Sequence, residues 1–421
     1  MSKEFCLIGK NIQYSMSPYI HNFLFNEKKI DGLYKICDID ENHFKKFMTQ
    51  GIYKFKGINV TIPYKKEVLS YLDYIDNTAR DIGSVNTIVV KKNSLYGYNT
   101  DILGFEKMLK YENIEVKNKK ITILGTGATA KMIKFFCERE GGFVTLVSSS
   151  IKPFNCIAYD EIESGNILIN TTPLGTKGKN FNVSPVSEDV VKLYDTLIDV
   201  NYSPFRSKFL SYGIFNNKKV VSGLYMLVAQ GLCADKLFFE DNHIDIYYED
   251  VLLTYKEICK DRNIALIGIM GVGKSTFGKL LAQKLDRDFI DFDEYIEKET
   301  GKSISTLFEK GEEYFRRLES NHIEALSKRK NLVIATGGGC VLNDKNVSLL
   351  YESSKVVWLK RDLNDIFKTL DFENRPLLNV PNPYDVLESL YNERYDLYEK
   401  YAEEVIDISD IDTALENFKE L

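Results

Sequence analysis

The sequence predicts an α/β protein in which one chain carries two glycine-rich strand-to-helix turns. Three observations predict it. Strand-like apolar runs alternate with helical stretches along the chain, the pattern of parallel sheets covered by helices. Gly125-Thr126-Gly127-Ala128-Thr129-Ala130 follows the apolar run Ile121–Leu124. Gly268-Ile-Met-Gly271-Val272-Gly273-Lys274-Ser275-Thr276 follows a second such run from Ile264.

The 421 residues suffice for two to four compact units. With 44% hydrophobic and 28% charged residues the chain is neither disordered nor fibrous. No apolar run approaches the ~20 residues of a membrane span, and the first residues lack a signal-peptide pattern, so a cytoplasmic protein is expected. The net charge of -6 divides into +3 for residues 1–260 and -9 for residues 261–421, and neither part is basic enough for nucleic acid. Seven cysteines form no CxxC pair and are expected to be reduced, and four scattered histidines do not suggest a metal site.

The first block, residues 1 to about 101, mixes strands at Phe5–Gly9, Gly57–Thr61 and Thr87–Val90 with polar helices. Its polar residues sit among apolar ones: Ser15 and Ser17, Asn59, Thr61 and Lys65, Asn86, and Asn99 to Asp101. Asn59 and Thr61 alternate on one strand face, where plain core is the ordinary reading. Hydroxyl and amide groups suit a polyhydroxylated ligand, and a lysine beside an aspartate can exchange a proton with it. The second block, 119 to about 222, opens on the GxGxxA turn. Its glycines permit a tight turn and close approach of a pyrophosphate to a helix N-terminus. The second strand ends in Ser148-Ser149-Ser150 and then Lys152, with no acid against NADP and no arginine demanding it. Residues 224 to 258 read as helical, and Lys256 to Asn263 as a short polar tether. The last block opens on the P-loop, whose N–H groups cradle phosphates while Lys274 reaches the β/γ oxygens and Ser275 can ligate Mg²⁺. Asp291 and Asp293 follow on one side of a strand, for metal and acceptor hydroxyl. Arg316, the glycines 337–339 and a loop arginine, Arg375, complete a candidate phosphoryl-transfer site.

Together these fragments resemble two families. Residues 1–257 resemble shikimate dehydrogenases through Ser15-x-Ser17-Pro with His21-Asn22, NVTIPYK at 59–65, VNT at 85–87, NTD at 99–101, Asn170-Thr-Thr-Pro-Leu-Gly175, Asp199-Val-Asn-Tyr202 and Gly223-Leu-Tyr-Met226-Leu-Val-Ala-Gln230. Residues 262–421 resemble shikimate kinases through the P-loop, FIDFDEYIE at 289–297, EYFRRLE at 313–319, the triple glycine and RPLL at 375–378. The resemblance implies NADPH-dependent reduction of 3-dehydroshikimate, then ATP- and Mg²⁺-dependent phosphorylation of shikimate. It implies a substrate-binding domain at 1–101 completed by helices at about 236–257, a Rossmann domain at 102–235, a linker at 256–263 and a P-loop kinase domain at 262–421.

By position, the resemblance makes Lys65 and Asp101 catalytic, with Ser15, Ser17, Asn59, Thr61, Asn86, Tyr202 and Gln230 around the substrate. It assigns Gly125 to Thr129, Ser149, Gly223 and Met226 to the dinucleotide. In the kinase it assigns Gly271 to Thr276 to ATP, Ser275 and Asp291 to Mg²⁺, and Asp293, Arg316, Gly338 and Arg394 to shikimate, with Arg375 as lid arginine. Four departures stand out: the family's GAGGA turn is Gly125-Thr-Gly-Ala-Thr129, its Asn-Arg-Thr after the second strand is Ser148-Ser149-Ser150, the kinase's last helix reads Arg394-Tyr-Asp396-Leu-Tyr398 without the family's proline, and a family arginine near the adenine is Lys368. An NAD-using quinate/shikimate dehydrogenase fused to the kinase is one alternative. A half that is only a regulatory module is another, and the presence of Lys65, Asp101, Lys274 and Asp293 speaks against it. Small molecules are the expected partners, with neither nucleic acid nor membrane.

Overall fold

The computed structural model describes residues 3–149, 156–176, 180, 183–239, 244–260, 262–370, 378 and 380–418. Internal contacts divide the chain into two compact units. One is Met1–Ser203 with Lys218–Ile258, and the other is Pro204–Asn217 with Cys259–Leu421. Among the described residues no helix is long and apolar enough to cross a membrane.

The first unit holds two sheets. One contains β1 (Lys3–Gly9), β2 (Gly32–Asp38), β3 (Gly57–Val60), β4 (Tyr74–Ile75), β5 (Thr87–Lys91) and β6 (Ser94–Tyr98), in the order β2-β1-β3-β5-β6-β4. It is mixed: β1 runs parallel to β2 and β3, and β5 antiparallel to β3 and β6. The other sheet contains β7 (Lys120–Leu124), β8 (Phe143–Val147), β9 (Cys156–Ile157), β10 (Ile167–Asn170), β11 (Thr196–Asp199) and β12 (Lys219–Ser222). Its order, β12-β11-β10-β7-β8-β9, is doubly wound and parallel throughout. Ile121–Leu124 and Ile167–Asn170 are buried along their length because helices cover both faces of such a sheet. The strand order reverses between β7 and β10, which opens a crevice at their carboxyl ends.

The helix Leu224–Phe238 has eleven buried positions in fifteen, the signature of an interior helix. It packs along the helix Asp101–Tyr111, and a Cβ on Gly104 would lie 2.7 Å from the Met226 carbonyl oxygen. The stretch expected to be helical from 224 to 258 is two helices, the second being Tyr248–Cys259. The Asp250 carboxylate accepts the Tyr247 N–H at 2.8 Å and so starts a new helix there. That helix reaches into the expected linker, and only residues 260–262 separate it from the next strand.

The second unit has one parallel sheet: β13 (Asn263–Ile267), β14 (Asp288–Asp291), β15 (Leu332–Ala335), β16 (Ser354–Lys360) and β17 (Glu404–Asp407), ordered β14-β15-β13-β16-β17. The P-loop follows the central strand β13. Pro204–Asn217 leaves β11 and returns to β12, yet its contacts group with this second unit. Its helix Lys208–Phe215 packs on the helices Asp344–Ser353 and Pro383–Tyr401. The Phe215 ring lies 5.0 Å from Tyr401 and 5.9 Å from Tyr351. Arg206 and Arg262 both pair with Glu403, Arg262 at 2.7 Å. Burial raises the Glu403 carboxyl, but the two guanidiniums outweigh it and hold the group below its usual range.

Candidate active sites

In the first unit, the end of β3 and the start of the helix Asp101–Tyr111 bring a lysine to a carboxylate. Lys65 Nζ donates to Asp101 Oδ2 at 2.5 Å, with both side chains largely buried. Asn86, just before β5, reaches the other Asp101 oxygen at 2.9 Å, Thr100 Oγ1 at 3.1 Å and Gln230 Oε1 at 3.1 Å. Its side-chain oxygen, Oδ1, accepts the Thr100 N–H at 2.7 Å. Lys65, Asn86, Asp101 and Gln230, separated by up to 165 positions, therefore converge on one polar centre. Asn59 is different. Its Oδ1 accepts the Tyr34 hydroxyl at 2.7 Å, and its Nδ2 reaches the Asn86 carbonyl and Thr87 Oγ1. Both its amide ends are engaged within the protein, and it is buried.

Ser15 and Ser17 form a second group. Their hydroxyls lie 3.2 Å apart, and the Ser17 N–H reaches Ser15 Oγ. Tyr202 lies near this group: burial pushes its hydroxyl up to about 12, with Ser15 opposing the rise. Thr61 is held by its backbone, its N–H on the Ile8 carbonyl.

The glycine turn follows β7. Gly125 has φ +108°, and a Cβ there would lie 2.7 Å from Thr171 Oγ1, so glycine is required. Gly127 caps the helix Ala128–Arg139 in an extended conformation with no side-chain cap, and nothing lies within 4 Å of its missing Cβ. Thr126, Ala128 and Thr129 complete a turn whose free N–H groups can receive a pyrophosphate. Ser149 follows β8 and is exposed, while Ser150 and Lys152 lie outside the described residues. Gly223 precedes the helix Leu224–Phe238, where a Cβ would lie 2.2 Å from the Val200 carbonyl oxygen, and Met226 is buried one turn on.

In the second unit the P-loop glycines Gly268, Gly271 and Gly273 all have positive φ. Gly273 starts the helix Lys274–Leu285 without a side-chain cap, which leaves N–H groups for an anion. Lys274 Nζ donates to the Gly268 and Ile269 carbonyls at 2.8 and 3.0 Å. Ser275 donates to Asp291 Oδ2, while Asp291 Oδ1 caps the next helix through the Asp293 N–H at 3.1 Å. Val272 is buried beneath the loop, and Thr276 lies on the first helical turn.

Arg316 pairs with Glu319 at 3.1 Å. Burial raises the Glu319 carboxyl, with Arg316 opposing and Asp293 and Arg394 acting at longer range. A Cβ on Gly337 would lie 3.2 Å from Glu319 Oε1 and 3.5 Å from Asp293 Oδ1, and one on Gly339 would strike the Arg316 guanidinium. The Gly338 carbonyl accepts the Tyr398 hydroxyl at 2.5 Å. Arg394 is buried, and its Nε has no hydrogen-bond partner. Asp293, Arg316, Gly338 and Arg394 thus lie in one neighbourhood, joined there by Glu319 and Tyr398. Arg375 lies outside the described residues. Lys368 pairs with Asp365 on the surface.

Two family models match the chain: the shikimate dehydrogenase substrate binding domain at residues 7–88 and shikimate kinase at residues 270–420. A shikimate dehydrogenase (NADP(+)) of Clostridium beijerinckii is 40% identical over 246 residues, which span 56% of this chain and 91% of that protein. Among solved structures, shikimate dehydrogenase 1 of Peptoclostridium difficile is 34% identical, with a TM-score of 0.57 over 61% of this chain and 97% of that one. A chorismate mutase/shikimate 5-dehydrogenase fusion protein of Clostridium acetobutylicum is 33% identical, with a TM-score of 0.58 and the same coverage.

Proposed function

Because the chain belongs to the shikimate dehydrogenase family over its first part and carries a shikimate kinase domain in the rest, we propose a division of labour among the residues described above. The protein is a bifunctional enzyme of the shikimate pathway. It reduces 3-dehydroshikimate to shikimate with NADPH and phosphorylates shikimate with ATP.

In the dehydrogenase, NADPH supplies a hydride to the carbonyl carbon. Lys65 delivers the proton to the 3-oxygen, and Asp101 at 2.5 Å fixes the position of its Nζ. Asn86 and Gln230 meet the ring hydroxyls, while Ser15, Ser17, Thr61 and Tyr202 offer hydroxyls to the remaining oxygens. Asn59 orders Asn86. Gly125 to Thr129 receive the pyrophosphate, Ser149 faces the ribose end, and Gly223 and Met226 flank the nicotinamide. The shared Asn86 contact to Asp101 and Gln230 is the observation that carries this reading.

In the kinase, ATP supplies the phosphoryl group. Gly271 to Thr276 hold its phosphates, and Lys274 with the lid arginine Arg375 balances the charge that spreads onto the transferring group. Asp293 takes the acceptor's 3-hydroxyl, and Arg316, Gly338 and Arg394 orient its carboxylate. The hydroxyl of Ser275 against the carboxylate of Asp291 is a pair of hard oxygen donors that fits Mg²⁺, an ion bound through few protein oxygens. When bound, Mg²⁺ would draw charge off the β- and γ-oxygens. We assign substrate binding to residues 1–101 with the helices after about 236, the dinucleotide to 102–235 and phosphoryl transfer to 262–421.

The test is sequential. 3-Dehydroshikimate with NADPH should give NADPH oxidation, and ATP added to the product should then give ADP and shikimate 3-phosphate. A chain that performs one step and not the other is not bifunctional.

A further inference from the structure

One polar pair in the first unit is used by neither reaction as described. His21 Nδ1 lies 2.7 Å from Asp235 Oδ1, and the side chains are 1% and 0% exposed. The second Asp235 oxygen is buried without a partner. Burial raises the Asp235 carboxyl, with His21 opposing. Such a pair is costly to bury, and an apolar side chain of similar volume would fill the space without that cost.

The ring it holds leads to the site. His21 stacks on Tyr34 with centroids 3.9 Å apart and planes at 6°. The neighbouring residue, Asn22, grips the Tyr34 backbone at both ends, donating to its carbonyl and accepting its N–H at 2.9 Å each. The Tyr34 hydroxyl donates to Asn59 Oδ1 at 2.7 Å, so Asn59 must turn its Nδ2 toward the Asn86 backbone carbonyl and toward Thr87 Oγ1, and the Thr87 hydroxyl in turn donates to Asn86 Oδ1 at 3.2 Å. The backbone of Gly231 leaves room for the imidazole: a Cβ there would lie 3.5 Å from His21 Nε2. Gly231 follows Gln230, which itself accepts from Asn86. The helix Leu224–Phe238 therefore reaches Asn86 twice, directly through Gln230 and indirectly through Asp235, His21, Tyr34 and Asn59.

We propose that Asp235 and His21 are positioning residues of the dehydrogenase reaction, fixing the ring face that holds Tyr34 and, through Tyr34 and Asn59, the orientation of Asn86 at the carbonyl substrate. This rests on the dehydrogenase reading above. A donor that is held in place costs no reorganisation when substrate arrives, and a misaligned one weakens substrate binding.

The experiment uses the full chain, with its kinase activity on added shikimate as the internal control. Tyr34→Phe removes only the hydroxyl, and Asp235→Leu removes the partner of His21 while filling the space. Each should raise KM for 3-dehydroshikimate about tenfold, the effect of one lost hydrogen bond, with kcat within threefold and KM for NADPH unchanged. The double variant should match the single ones, because both act along one chain of contacts. Asp235→Asn, which keeps an acceptor toward the imidazole, should restore KM to within about twofold of wild type. A lowered melting temperature with unchanged KM in Tyr34→Phe, or multiplied effects in the double variant, would overturn the proposal. A wild-type chain that does not reduce 3-dehydroshikimate would instead remove the reading beneath it.

Discussion

Glu352 gives the second unit a pH dependence that one substitution should remove. The side chain ends the helix Asp344–Ser353, is 3% exposed, and has no partner on either carboxylate oxygen. Burial pushes its pKa from 4.5 up to about 8, and the Lys208 ammonium offsets only part of this. Between those two values the folded chain holds a proton that the unfolded chain releases. The contribution of Glu352 to stability is therefore fully present below pH 4.5 and is lost as the pH rises to about 8. The gap between 4.5 and about 8, at ~1.36 kcal/mol per pH unit, sets a ceiling of about 5 kcal/mol. Relaxation and water entry reduce such penalties, so we expect about 2–4 kcal/mol. Glu352→Gln keeps the shape of the neutral acid and cannot ionise. It should be more stable than wild type by that amount at pH 8.5 and equal to it within about 1 kcal/mol at pH 5. The assay is urea unfolding followed by the emission of Trp358. This is the chain's one tryptophan, 1% exposed in the second unit, so it reports that unit alone. Equal stability of the two proteins at pH 8.5, or the same difference at both pH values, would refute the reasoning.

Three further outcomes concern the sites. Lys65→Ala should lower dehydrogenase kcat by about 10²–10⁴ and leave kinase turnover unchanged, measured as NADPH oxidation and ADP release on the same preparation. Ser149→Arg should lower KM for NADP and leave that for NAD unchanged, because arginine adds a bidentate clamp for the 2′-phosphate; equal gains for both nucleotides would place residue 149 away from it. Asp293→Asn should retain ATP affinity by calorimetry while losing phosphorylation and shikimate affinity, since Asp293 lies by Glu319 and Gly337 and not on the P-loop.

The two glycine-rich turns are legible in the sequence because backbone geometry dictates their residues. Gly125 at φ +108° and the three positive-φ glycines of the P-loop admit few substitutes. The strand order around each turn follows from the same alternation of elements. The roles of single polar residues are less legible. Asn59 reads as a ligand contact, yet both ends of its amide are engaged with Tyr34, Asn86 and Thr87. His21 and Asp235 lie 214 positions apart, and no periodicity ties an aspartate in an otherwise apolar helix to a distant imidazole. Glu319 ends the charged stretch EYFRRLE, whose pattern does not mark it as buried, whereas folding buries it beside Arg316. The Rossmann domain expected at 102–235 takes in Pro204–Asn217, whose contacts group with the second unit, because a sequence pattern does not record which unit a segment packs in.

That crossover segment bears on how such a gene could be shortened or lengthened. The chain passes from one compact unit to the other three times, after Ser203, after Asn217 and after Ile258. A stop codon placed after the third passage leaves the first unit carrying an aromatic residue, Phe215, that had been packed against Tyr351 and Tyr401, and an Arg206 parted from Glu403. The complementary fragment keeps Glu403 with one guanidinium in place of two. A lineage that lost either enzyme by deletion would inherit a sticky or charge-unbalanced patch on the survivor, and compensating changes at residues 206, 215, 351, 401 and 403 would be the genetic trace of the separation.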